Sequence, residues 1–166
     1  MFKKKKSYAE AKIDAVLEPS DLRTEPRCRY ADECGGCKWQ HVEYEAQLEA
    51  KRQSVEETFA HHSDFSGIEV PPVIGCDTPY HYRNKMDFDF SADRWLTSAE
   101  IDSGKDFDTD FAVGLHVPGN FFKVLDLEEC HLPAHITPKL VNGIRDFVKD
   151  RGWKAWDIRN HTGFLR

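Results

Sequence analysis

Cys28, Cys34 and Cys37 fall within ten residues of one another around the tetrapeptide Cys34-Gly35-Gly36-Cys37, and Cys130 follows almost a hundred residues later. Thiols so closely spaced cannot all pack as isolated apolar side chains, and paired glycines let a backbone turn tightly around whatever the sulfurs hold. Soft thiolates suit zinc or an iron-sulfur cluster and select against magnesium and calcium. The C-x5-C-x2-C triplet with one remote partner departs from the two close pairs usual for structural zinc and is nearer to cluster proteins. His131 adjoins Cys130, and His41 and the pair His61-His62 are further rival ligands, although four thiolates already complete a site.

The chain has 166 residues, 40% of them hydrophobic and 12% aromatic, enough for one domain with a core. No run approaches the roughly 18 apolar residues of a membrane span. Met1-Phe2 and the lysines from Lys3 to Lys6 lack the apolar segment of a signal peptide. The expected location is the cytoplasm, where clustered thiols bind metal more often than they form disulfides. Cys76 has no thiol near it in sequence and is expected to be a buried structural residue. The net charge of −6 argues against a protein held to nucleic acid by its overall field. Positive charge is nevertheless concentrated toward the N-terminus, in Lys3 to Lys6, Arg23, Arg27, Arg29 and Lys38. Asp102, Asp106, Asp108 and Asp110 gather negative charge later.

Local patterning predicts an α+β chain with an antiparallel sheet and two or three helices. Ser7 to Glu18 reads as a strand, and Asp21 to Gln40 as an irregular cysteine-bearing loop. Tyr44, Leu48, Val55 and Phe59 recur at helical spacing, which predicts a helix ending near His61. Val70 to Ile74 reads as a short strand between prolines. Met86, Phe88 and Phe90 alternate with Lys85, Asp87 and Asp89 as in a half-buried strand. Residues 91–110 read as a long acidic connection. Phe111 to Val117 and Phe121 to Leu127 form a hairpin around Pro118-Gly119-Asn120. Thr137 and Pro138 open a helix whose stripe is Leu140, Val141, Ile144, Phe147 and Val148. Trp153 to Ile158 then begins a last hairpin whose returning strand, Phe164 to Arg166, is only begun, so the chain is expected to be part of something longer.

Several strings together resemble the RNA (uracil-5-)-methyltransferases, and among them the RumA-type enzymes that modify ribosomal RNA. They are Pro26-Arg27-Cys28, Cys34-Gly35-Gly36-Cys37-Lys38-Trp39-Gln40-His41, Tyr44 and Gln47, Tyr82-Arg83-Asn84-Lys85-Met86, Gly114-Leu115-His116 with Pro118-Gly119, and Cys130-His131-Leu132. The resemblance implies that Cys28, Cys34, Cys37 and Cys130 hold a [4Fe-4S] cluster in a central domain over residues 21–166. Residues 1–20 would be a tail or the edge remnant of a TRAM-like barrel. It further implies that S-adenosyl-L-methionine binding and the nucleophilic cysteine that attacks uracil C6 lie in a later domain. This chain is expected to be truncated before that domain, to carry no catalytic residue and to be inactive alone.

The expected role is RNA binding by a monomer, to ribosomal RNA ahead of transfer RNA, through Arg83, Lys85, Tyr82 and Lys38. Gln40 and His41 are expected to order the cysteine loop. The alternatives are a zinc-binding interaction module without an RNA role and an iron-sulfur redox protein.

Overall fold

The structure, a computed structural model, describes residues 3–11, 13, 15–62, 65 and 67–165. Their order is β1 (Lys3–Lys4), β2 (Ala9–Glu10), α1 (Tyr44–Ala60), β3 (Asp89–Ser91), β4 (Arg94–Trp95), α2 (Ser98–Asp102), β5 (Ala112–His116), β6 (Val124–Asp126) and α3 (Ile136–Asp150). Among the described residues β1 and β2 form a two-stranded sheet, and the other four strands form one sheet in the order β3-β5-β6-β4.

The α+β class holds, but the sheet is mixed: β3-β5 and β5-β6 are antiparallel, whereas β4 runs parallel to β6. The parallel strand β4 lies in residues 91–110, which read in the sequence as a long acidic connection. Thr97 caps α2 by accepting the Glu100 N–H, and the Glu100 carboxylate accepts the Thr97 N–H, a complete capping box. Arg94 reaches from β4 to Glu100 in an ion pair. Thr97-x-x-Glu100 was therefore a readable helix start in the sequence.

Other expected strands are shorter or absent. Ser7 to Glu18 yields only β2, with Lys12 and Asp14 outside the described residues, and Val70 to Ile74 has no regular structure. The strand expected from Arg83 begins at Asp89, because the Arg83 N–H is given to Leu132 O (3.0 Å) and Arg83 bridges Pro133. The last hairpin consists of isolated bridges, Ala155 with Leu165 and Asp157 with Thr162. Arg166 lies outside the described residues.

The β5-β6 hairpin is the centre of the core. Ala112, Val113, Val124 and Leu125 are all buried, so both faces of the hairpin are covered rather than one. Tyr30, Val117, Leu125 and Leu127 form a cluster, and Cys28, Cys34, Phe88, Trp95 and Leu115 pack against it. The cysteine loop is thus one wall of the core. At Gly114 an added Cβ would lie 2.0 Å from Leu125 O, so only glycine lets β5 approach β6 this closely.

α1 matches the expected helix to within a residue, and it has no buried residue. α3 begins earlier than expected, with His135 as N-cap and Pro138 inside the first turn, where its missing N–H costs no helical bond. Its inward face is Val141, Arg145 and Val148, whereas Leu140, Ile144 and Phe147 of the expected stripe are exposed.

Arg145, only 7% exposed, pairs with Asp126 (3.1 Å) and donates to Val113 O (3.2 Å) and Leu127 O (2.6 Å), with Asn142 accepting a further bond. Asp126 also accepts the Val113 N–H (2.9 Å). Arg145→Leu leaves the largely desolvated Asp126 carboxylate, 15% exposed, without its cation, and a loss of about 3 kcal/mol in urea unfolding is expected. A loss below about 1 kcal/mol would contradict this account. Gly114→Ala is expected to cost about 3 kcal/mol or more in the same measurement.

Candidate metal centre and the groove beside it

The cysteine loop is a succession of turns. The Cys34 N–H is given to Tyr30 O (2.8 Å) and the Ala31 N–H to Cys28 O (3.1 Å), which brings Cys28 and Cys34 to one side. Gln40 Oε1 accepts the Cys28 N–H (3.1 Å), the ordering role expected of Gln40. At Gly35 an added Cβ would meet His116 O at 3.0 Å, so its small size lets the loop lie against the hairpin. Glu33 holds the outer side, accepting from Trp95 Nε1 and from the Ser98 N–H, both at 2.7 Å. Cys130 comes from the short segment between β6 and α3.

Cys28, Cys34, Cys37 and Cys130 line one small cavity of about 20 Å³, with Leu115, Leu127 and Leu132 as apolar neighbours. Burial pushes the Cys28 thiol up to about 11; the Tyr30 N–H opposes this, and Cys34, Cys130 and Cys37 add to it. Burial also raises Cys34, against the Gly36 N–H, and Cys130, against the Leu132 N–H. Cys34 Sγ accepts the Gly36 N–H (3.4 Å), and the backbone N–H groups of Tyr30 and Leu132 act in the same sense on Cys28 and Cys130. Such N–H groups favour the thiolate over the thiol, and hydrogen bonds to sulfur tune sulfur-ligated metals. Among the described residues, no three or more His, Cys, Asp or Glu side chains form a group arranged to hold a metal ion.

His131 lines the same cavity, and burial, reinforced by Arg27, lowers its pKa. Its Nε2 and that of His81 are buried without a hydrogen-bond partner among the described residues. The His81 and His135 rings lie against each other, centroids 3.6 Å apart and planes tilted by 33°. His41 and His61-His62 do not line the cavity.

Beside this site a larger groove of about 720 Å³ runs between the cysteine loop, the start of α1 and the segment 76–82. The four residues expected to contact RNA are distributed unevenly around these features. Lys38 and Tyr82 line the groove. Arg83 acts electrostatically on Cys130 and donates to Met86 Sδ (3.8 Å). Lys85 projects into solvent, 3.7 Å from the Asp87 carboxylate. Cys76 corrects the sequence reading: it is exposed, it lines the groove, and its N–H is given to the Tyr44 hydroxyl (2.9 Å). An added Cβ at Gly75 would lie 3.0 Å from the Leu48 side chain, so the glycine lets this segment lie close to α1, and the exposed Cys76 thiol donates to Thr78 O (3.1 Å). Sequence reasoning missed Glu33, Arg145 and the Tyr44 hydroxyl, whose partners lie far off along the chain.

No protein-family model matches the chain. Proteins named as uncharacterized RNA methyltransferases match it throughout. The relative from Chlorobaculum tepidum is 42% identical over all of this chain and 35% of its own length. The relative from Porphyromonas gingivalis is 37% identical over 99% of this chain and 36% of its own length, and the one from Synechocystis is 28% identical over 100% and 33%. The chain spans about a third of the length of the curated relatives it matches. Over its whole length the chain is therefore similar to about a third of the length of proteins named RNA methyltransferases.

Proposed function

We propose that this chain is the RNA-binding, cluster-bearing part of an S-adenosyl-L-methionine-dependent methyltransferase that modifies uracil C5 in RNA, with ribosomal RNA as substrate. Residues 21–166 form the cluster domain in this reading. The first hydrogen bonds tying the N-terminal segment to the rest support that boundary: Thr24 N–H to His41 O and Glu43 N–H to Leu22 O. Methyl transfer belongs to the full-length enzyme.

The observation that carries the reading is the single cavity wall shared by Cys28, Cys34, Cys37 and Cys130. Its chemistry fits a [4Fe-4S] group: four soft donors, a backbone N–H given to the Cys34 sulfur, and apolar neighbours. In such a cluster each thiolate takes its own iron, so the sulfurs need not converge on one point as they would around zinc at about 2.3 Å. The group would supply a structural tie, since methyl transfer to uracil is redox-neutral. It closes a loop of about a hundred residues, and a crosslink of that span contributes roughly 4–5 kcal/mol in the chain-entropy account.

Anaerobic reconstitution with ferrous iron and sulfide is expected to give a brown protein with about four of each per chain. Cys130→Ser should lose the visible absorption and melt at a lower temperature than the reconstituted parent. A colourless protein holding one zinc, or a mutant with unchanged absorption and melting, would overturn the cluster assignment. Filter binding with a ribosomal RNA fragment tests the RNA role, with affinity expected to fall as salt rises.

A further inference from the structure

We propose that the groove beside the cysteine cavity is a pocket for an unpaired base of single-stranded RNA, held by stacking and not by phosphate contacts. This rests on the RNA-binding reading above and assigns it a place and a mode. Trp39, Tyr44, Tyr80 and Tyr82 line the groove, and its volume of about 720 Å³ lies within the usual range for small-ligand sites.

The four rings are not equally placed. The Tyr44 hydroxyl is occupied by the Cys76 N–H, and Tyr80 lies beneath the Arg27 guanidinium, 5.0 Å from its ring centre, with its edge toward His131. These two are fixed parts of the wall. Trp39 and Tyr82 remain 45% and 57% exposed, a large aromatic surface left to water on a groove. A base stacked on an aromatic ring covers such surface without regard to sequence, because every base has a π-face.

The charges point the same way. Lys38 and Lys51 on the lining are balanced by Glu25 and Glu43, so the interior carries no net attraction for phosphate. Duplex RNA, which presents phosphate and ribose to a protein and keeps its bases stacked inside, has little to offer this groove. An unpaired base does: Gln40 uses its side-chain carbonyl on the Cys28 N–H, and its amide N–H2, which has no partner among the described residues, can donate to a base carbonyl in the groove.

The test uses the full chain and an eight-residue oligouridylate, read by fluorescence anisotropy. Trp39→Ala and Tyr82→Ala are expected each to weaken binding about five- to a hundredfold, while Trp39→Phe and Tyr82→Phe retain most of the affinity. Trp39 contributes its backbone carbonyl, not its ring, to the Gln47 bond that orders the start of α1, so the alanine variant keeps that contact. The oligonucleotide should also slow alkylation of Cys76, followed by peptide mass mapping, and the same sequence annealed to its complement should do neither. Equal binding by parent and alanine variants, or a duplex that competes as well as the single strand, would overturn the groove assignment while leaving RNA binding intact. Failure of the parent to bind any RNA would overturn the RNA-binding reading itself.

Discussion

Arg145 is a cation in a place from which water is largely excluded, and the arrangement of the hairpin, α3 and the fourth cysteine depends on it. A guanidinium has five N–H donors and no means of losing its charge, so burying it requires acceptors on several sides. They come from Asp126, Asn142 and the carbonyls of Val113 and Leu127. Two of these acceptors are the main chain of β5 and of the residue after β6. The helix is therefore held to the backbone of the hairpin and not only to its side chains. Cys130 sits on the short link between these two anchored elements, which fixes where its sulfur can point.

The cysteine loop meets that sulfur from the other end of the chain through interactions of a different kind. It has no regular structure, and its shape comes from polar groups that each settle one otherwise unpaired partner. Gln40 holds the Cys28 N–H, Gln47 spans Trp39 and Val42, and Glu33 joins the loop to Trp95 and Ser98. Arg29 reaches Glu128 at 2.6 Å beside the same junction, although with both side chains largely exposed this pair contributes little. Apolar packing completes the junction, with Cys28 and Cys34 themselves against Tyr30, Leu125 and Leu127. The thiols are part of the hydrophobic core as well as a candidate binding site.

What could be read in the sequence was local or carried by spacing. The period of Tyr44, Leu48, Val55 and Phe59 located α1, and alternation with a Pro-Gly-Asn turn located the β5-β6 hairpin. The four cysteines were grouped by spacing and resemblance, and they do line one cavity. Features set by distant partners were illegible. Arg145 reads as an ordinary solvated residue of an amphipathic helix until the carbonyls around it are known. Strand β4 is two residues long and exists because β6 offers it a parallel edge, which no window around Arg94 reveals. Glycine at 114 signals a loop as readily as a strand, and its necessity lies in Leu125 on the neighbouring strand. The capping box at Thr97 is the exception, a local signal that was present and passed over.

The separation of Cys130 from the triplet also has a temporal side. About ninety residues lie between Cys37 and Cys130, and synthesis at about 5–20 residues per second separates their appearance by roughly 5–20 s. During that interval three thiols are present on a loop whose supporting wall, the β5-β6 hairpin, has not yet been made. Their natural environment in the nascent chain is water, where they are open to oxidants and to adventitious metals. The cavity that the four cysteines line is complete only once the segment after β6 has been made, so the first three thiols meet their apolar wall late.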